Sequence, residues 1–183
     1  MKTILQVEDD PNDVFLFQHA MRKAGVANPV QVASDGQQAI DYLQGAGKFA
    51  DREKYPFPCL VLLDLKLPYV MGLEVLKWIR KQRGTDLTVL MLTASGEEAD
   101  VKSAYRLGAN GFLTKPSEAS KLNDIVNAIK DFWLTHNILP RDAYADRATV
   151  PATSHTTGPE TMYMVLKNGT PQAVWPPGRK DQP

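Results

Sequence analysis

Four short stretches of this 183-residue chain carry polar side chains that can do chemistry together: Val7-Glu8-Asp9-Asp10, Leu63-Asp64-Leu65-Lys66-Leu67-Pro68, Leu92-Thr93-Ala94-Ser95 and Thr114-Lys115-Pro116. Carboxylates gathered from separate stretches repel one another, and they cannot all be buried ionised without a cation between them. An all-oxygen set with no His or Cys nearby selects a hard ion. Two or three carboxylates with open water positions suit Mg²⁺ better than a full Ca²⁺ cage, and the acids lack the spacing of a calcium loop. A carboxylate is a competent acceptor for a phosphoryl group, whose loose transition state asks for charge neutralisation and positioning more than for a base. Lys115 and Mg²⁺ would neutralise such a group, and Thr93, with the Ala94 backbone N–H beside it, can donate hydrogen bonds to its oxygens.

Each residue also has an ordinary explanation. A lone Asp at a strand end caps the next turn, a lone Thr is a satisfied strand residue, and a lone Lys is solvated. The chemical reading rests on the set, so the elements that position it matter. Short apolar runs alternate with helical patterns up to about Leu139, which predicts repeated βα units around a five-stranded parallel sheet, doubly wound as in flavodoxin-like folds. The expected strands are Thr3 to Val7, Val30 to Ala33, Leu60 to Leu65, Thr88 to Thr93 and Gly111 to Thr114. In such a sheet the working site lies at the carboxyl ends of the strands, where all four polar stretches fall.

The first helix is expected to start at Pro11, with Asp10 as cap and Asp13 supplying negative charge to its first turn, and to end at Gly25. The others are expected near Gln37 to Leu43, Gly72 to Arg83 with Gly84 as stop, Glu98 to Leu107, and Glu118 to about Leu134. The fifth would turn Leu122, Ile125, Val126, Ile129 and Trp133 inward.

Composition narrows the classes. Lys plus Arg and Asp plus Glu number 21 each, so no net field draws the chain to nucleic acid or an anionic membrane. The single Cys59 lies in an apolar run and reads as a small buried hydrophobe. The N-terminus reaches acids too early for a signal peptide, and no apolar run approaches the roughly 20 residues of a membrane span, so a cytoplasmic protein is expected. The segment Gly45 to Pro58 is longer than a βα connection needs, and Phe49, Tyr55 and Phe57 would staple it down. Residues 140–183 hold seven of the thirteen prolines and read as an extended tail or arm beside a domain of residues 1–139. Within it Tyr163 to Lys167 precede Asn168-Gly169, a pair that favours a hairpin, although Thr170-Pro171 weakens the second strand and a lone hairpin is marginal. The arm is therefore expected to be disordered alone, or ordered only by docking.

The four stretches, in this order, resemble the receiver domains of response regulators, over roughly residues 1 to 135. That resemblance implies Asp64 as phosphoacceptor, Asp9 as a direct Mg²⁺ ligand, Glu8 holding the ion through water, and the Lys66 backbone carbonyl completing the protein's share. It implies Thr93 as the phosphate-sensing hydroxyl, Lys115 as the phosphate-pairing lysine, and Phe112 as the switch aromatic that turns inward with Thr93. The long loop and the stretch from Gly72 to Arg80 look like the single-domain subgroup related to cyanobacterial phytochrome response regulators. The subgroup implies a sensor histidine kinase of phytochrome type as donor and a homodimer through the fourth helix, fifth strand and fifth helix.

Three other functions compete with this one. A phosphatase of the haloacid dehalogenase type would need a second Asp two residues beyond Asp64, where Lys66 stands. A transcription factor would need output in residues 141–183, which carry five Lys or Arg against four acids, too many prolines, and no helix-turn-helix pattern. An adaptor whose tail adds a strand to a partner is compatible with the receiver reading.

Overall fold

A computed structural model describes residues 2–82, 86–138, 163–167 and 170–174. The chain divides into two units, residues 1–145 and 146–183. The first holds five parallel strands, β1 (Thr3–Val7), β2 (Val30–Ala33), β3 (Pro58–Leu63), β4 (Thr88–Thr93) and β5 (Gly111–Thr114), in the order β2-β1-β3-β4-β5. β1, β3 and β4 are buried at every position, as continuous apolar strands covered on both faces should be.

Alternation along the strands builds two cores. Leu5, Val7, Val61, Leu63, Val89 and Met91 face α2 (Gly36–Gln44), α3 (Gly72–Lys81) and α4 (Glu98–Arg106). Ile4, Leu60, Leu62, Leu90 and Leu92 face α1 (Pro11–Lys23) and α5 (Ala119–Ala128). α1 begins as its sequence dictates: the Asp10 side chain accepts from the Asn12 N–H at 2.8 Å, and Pro11 opens the helix. α2 is capped by Asp35, accepting from the Gln38 N–H at 2.7 Å, and ends at Gly45 in the left-handed region, φ 72°.

Three boundaries differ from expectation. β3 runs two residues earlier than Leu60 to Leu65, because the Asp64 carboxylate takes the Leu65 and Lys66 N–H groups and turns the chain out of the ladder. α3 ends at Lys81 rather than Arg83, with Gln82 already extended; its expected stop, Gly84, lies outside the described residues. The fifth helix is α-helical only to Ala128 and continues as a π-helix, Ile129–His136, where Asn137 N–H bonds to the Phe132 carbonyl at 2.7 Å. Its expected inner residues Leu122, Ile125, Val126, Ile129 and Trp133 all pack on the α1-side core.

The long connection is held from within. Arg52 donates to the carbonyls of Tyr42 (2.7 Å), Leu43 (2.9 Å) and Tyr55 (3.2 Å), closing the free C-terminal end of α2. Phe49, 3% exposed, packs edge-on against Tyr42 and Tyr55, and the Tyr42 hydroxyl donates to the Pro56 carbonyl at 2.7 Å. The stapled loop is thus built largely as expected, with Arg52 as a further clamp.

In the second unit, β6 (Tyr163–Lys167) and β7 (Thr170–Val174) pair antiparallel with Lys167 opposite Thr170, which is the hairpin expected at Asn168-Gly169. The two turn residues, and the rest of the arm, lie outside the described residues. No helix among the described residues is long and apolar enough to cross a membrane.

Candidate functional site

The chain order reverses between β1 and β3, so a crevice opens at their carboxyl ends. Three acids stand there. Glu8 and Asp9 follow β1 and Asp64 follows β3, whose end is tied to β1 by the Asp64 N–H donating to the Val7 carbonyl at 3.1 Å. One carboxylate oxygen from each lies within 4.8 Å of the others. Glu8 and Asp64 are buried and Asp9 is exposed, so the cluster opens to solvent on one side.

Lys115 enters from the end of β5, whose edge is joined to β4 by the Lys115 N–H donating to the Thr93 carbonyl at 2.7 Å. Its ammonium donates to Asp64 Oδ2 at 2.8 Å, to Asp13 Oδ2 at 2.9 Å and to Glu8 Oε2. Burial alone would lower the pKa of this amine, but the bonds to Asp64, Glu8 and Asp13 outweigh it and hold the group well above its ordinary value. Burial pushes the Glu8 carboxyl up, and Lys115 offsets part of that rise. Three carboxylates thus share one ammonium, and Asp9 stands with two of them in the cluster, an excess of negative charge that fits a divalent cation. The donors are all oxygen, and the buried pair beside an exposed third acid leaves room for water, so the set fits Mg²⁺.

The alternation that builds the two cores also divides the site. Gln6 and Glu8 continue the α1 face of β1, and Leu113 and Lys115 continue the α1 face of β5, so the ion pairs lie on that side. Thr93 and Phe112 continue the opposite face with Met91, the direct partner of Phe112 across β4 and β5. Thr93 is 1% exposed, and its hydroxyl oxygen accepts from the Ser95 N–H at 3.3 Å. Phe112 is half-buried against the α3- and α4-side core, and Ala94 is exposed just beyond Thr93. The Lys66 side chain is exposed, while its N–H donates to Asp64 Oδ1 at 3.3 Å.

The loop from Asp64 to Gly72 is locked by close backbone packing. A Cβ on Gly72 would stand 1.9 Å from the Asp64 carbonyl oxygen, and one on Gly36 would stand 1.9 Å from that of Val70. Tyr69, at the tip, has φ 64° and is 88% exposed. A bulky residue in the left-handed region is strained, which the fixed ends of the loop enforce.

Glu8, Asp9, Asp64 and Lys115, expected at one end of the sheet, come together there. Asp13, expected only as an acid at a helix start, joins them through Lys115. The signal was its position four residues after Asp9, in the first turn of a helix leaving the same strand end.

A doubly wound parallel sheet with an acid cluster and a lysine at its switch point defines a class of phosphoacceptor signalling domain. The family profile of the response regulator receiver domain matches residues 4–127, and the chain belongs to that family. It is 36% identical over 140 residues to the response regulator Rcp1 of Synechocystis sp., a match covering 76% of this chain and 93% of that protein. The structure resembles the phosphorylated cyanobacterial phytochrome response regulator RcpA, with a TM-score of 0.71 and 36% identity over 76% of this chain and 98% of that one. It also resembles the Mn²⁺-bound form of Rcp1, with a TM-score of 0.70 and 36% identity over 76% and 99% of the two chains.

Proposed function

We propose that Asp64 accepts a phosphoryl group from a phosphohistidine of a sensor kinase, with Mg²⁺ held by Glu8, Asp9, Asp64 and the Lys66 carbonyl. The observation that carries this reading is the Lys115 ammonium bonded to Asp64 Oδ2 beside the three-acid cluster. Asp64 Oδ1 is engaged by the Leu65 and Lys66 N–H groups, so Oδ2 is the oxygen whose partner can exchange. In the transfer the P–N bond of the donor breaks, its electron pair returns to the imidazole, and an O–P bond forms at Asp64. Lys115 passes its hydrogen bond from the carboxylate to a phosphoryl oxygen. A bound Mg²⁺ supplies neutralisation of the remaining phosphoryl charge.

Thr93 then reports the event. Its hydroxyl is held weakly by the Ser95 N–H, so it can turn toward a phosphoryl oxygen, which the Ala94 backbone N–H would also bond. Phe112 shares the face of Thr93 and would move into the space that the hydroxyl leaves. The chain therefore assists its own phosphorylation and dephosphorylation while acting as a signalling protein. Half-buried Phe112 and Leu113 on the edge strand β5, and the partly exposed Tyr105 on α4, support a homodimer through α4, β5 and α5. We take residues 1–139 as the receiver and 140–183 as an arm with a hairpin. The cytosol is the proposed compartment, where a buried thiol such as Cys59 stays reduced. Relatives named for phytochromes make a light-sensing kinase the first donor to test.

The test is phosphotransfer from candidate kinases, and from a small phosphodonor with Mg²⁺, to the wild-type chain and Asp64→Asn. Labelling of the wild type alone, with both proteins melting at similar temperatures in the absence of Mg²⁺, is the expected outcome. Equal labelling of the variant would remove Asp64 from the reaction.

A further inference from the structure

We propose that Asp13 is a positioning residue for phosphoryl acceptance, holding the Lys115 ammonium in place when Asp64 changes its bonding; this rests on the phosphoacceptor reading above. An ammonium has three N–H groups, and those of Lys115 go to Glu8, Asp64 and Asp13. Two of these partners are committed elsewhere. Glu8 and Asp64 belong to the three-acid cluster, and Asp64 must also give up its contact when the phosphoryl group arrives. Asp13 alone among the three lies outside that cluster. It is set by α1, whose start is fixed by the Asp10 cap and Pro11 rather than by anything in the reacting loop. The Asp13 side chain is 41% exposed, so it contributes less than a buried partner would, but its geometry survives each step of the transfer. Lys115 carries its neutralising charge on a flexible four-carbon stem, and a fixed partner on the helix side limits where that charge can go. The same face holds a cavity of about 50 Å³ lined by Gln6, Asp13, Leu16, Phe17 and Lys115. Without Asp13 the ammonium has that space to swing into.

Asp13→Ala and Asp13→Asn test this in the full chain, the second preserving side-chain volume in the first turn of α1. Three quantities are read for each: the rate of labelling by a small phosphodonor at saturating Mg²⁺, the Mg²⁺ affinity, and the hydrogen exchange of the Lys115 ammonium by ¹⁵N NMR without phosphodonor. The expected result is a rate lowered about fivefold, as suits a partly exposed ion pair. Faster exchange of the Lys115 ammonium should accompany it, with Mg²⁺ affinity kept within about threefold of wild type, since only a screened charge is lost. An unchanged rate, unchanged Lys115 exchange, or a loss of Mg²⁺ affinity as large as the loss of rate would each overturn the assignment. Asp64→Asn run in parallel separates the two readings: labelling that survives in it defeats the phosphoacceptor site, whereas labelling that needs Asp64 but ignores Asp13 defeats only the positioning role.

Discussion

At the scale of single residues, the glycines of the reacting loop show how closely the backbone is packed around Asp64. Gly72→Ala would drive a methyl group into the Asp64 carbonyl oxygen, 1.9 Å from the ideal Cβ position, and the nearest atoms are backbone that cannot swing aside. Overpacking of this kind costs about 1–3 kcal/mol, and here the displaced atoms belong to the phosphoacceptor itself. Gly25, at φ 73°, has nothing within 4 Å of its Cβ position, so Gly25→Ala carries only the conformational strain, about 1 kcal/mol. Denaturation and labelling measured on both variants should therefore separate them: Gly72→Ala loses stability and acceptance together, Gly25→Ala a smaller amount of stability alone. Equal labelling in the two would mean that the loop tolerates the shift without moving Asp64.

At the scale of elements, the clamp between α2 and the long loop has a measurable pH signature. Tyr42 is fully buried, and burial raises its phenol to about 12, with Arg52 opposing the rise. Below the ordinary value of 10, folded and unfolded chains both keep the proton, and the contribution of this group to stability is fully present. Between about 10 and 12 the unfolded chain loses the proton and the folded chain does not, so stability falls as pH rises through that window. Denaturant midpoints for wild type and Tyr42→Phe, followed across it, should converge, because the variant lacks this titration while already missing the bond to Pro56. A constant gap between them would show that the phenol does not ionise differently on unfolding. The boundary of β3 belongs to this scale as well. Its apolar run suggested a strand continuing to Leu65, yet the short Asp64 side chain competes for the next two N–H groups and ends the ladder.

At the scale of the whole molecule, the site joins ends of chain that are far apart in sequence, with Lys115 bonded to Glu8 across 107 residues and to Asp13 across 102. Gathering so many acids opposes folding unless a cation is present. Mg²⁺ should therefore raise the melting temperature as its concentration passes the dissociation constant, by about 2.7 kcal/mol of stability at a hundredfold excess over it. Chelation should reverse the gain and abolish labelling together. Asp64→Asn removes one cluster carboxylate, so its melting temperature should rise less with Mg²⁺; an identical rise in both proteins would place the bound ion elsewhere.

The strands, most helix starts and the four polar strand ends were legible in the sequence because each depends on neighbours only a few residues away: an apolar run, a capping Asp, a proline, a glycine at a turn. Glu8, Asp9, Asp64, Thr93 and Lys115 were visible for the same reason, as polar residues where apolar runs stop. Strand order, and with it the placing of β1 beside β3 at the switch point, was decided by the fold, since the sequence pattern of a βα repeat is the same for every order. So were the division of the site into a charged α1 side and a Thr93 and Phe112 side, and the bond from Lys115 to Asp13. Those depend on which face of a sheet each strand end continues and on which helix covers it, and such contacts exist only once distant segments have packed.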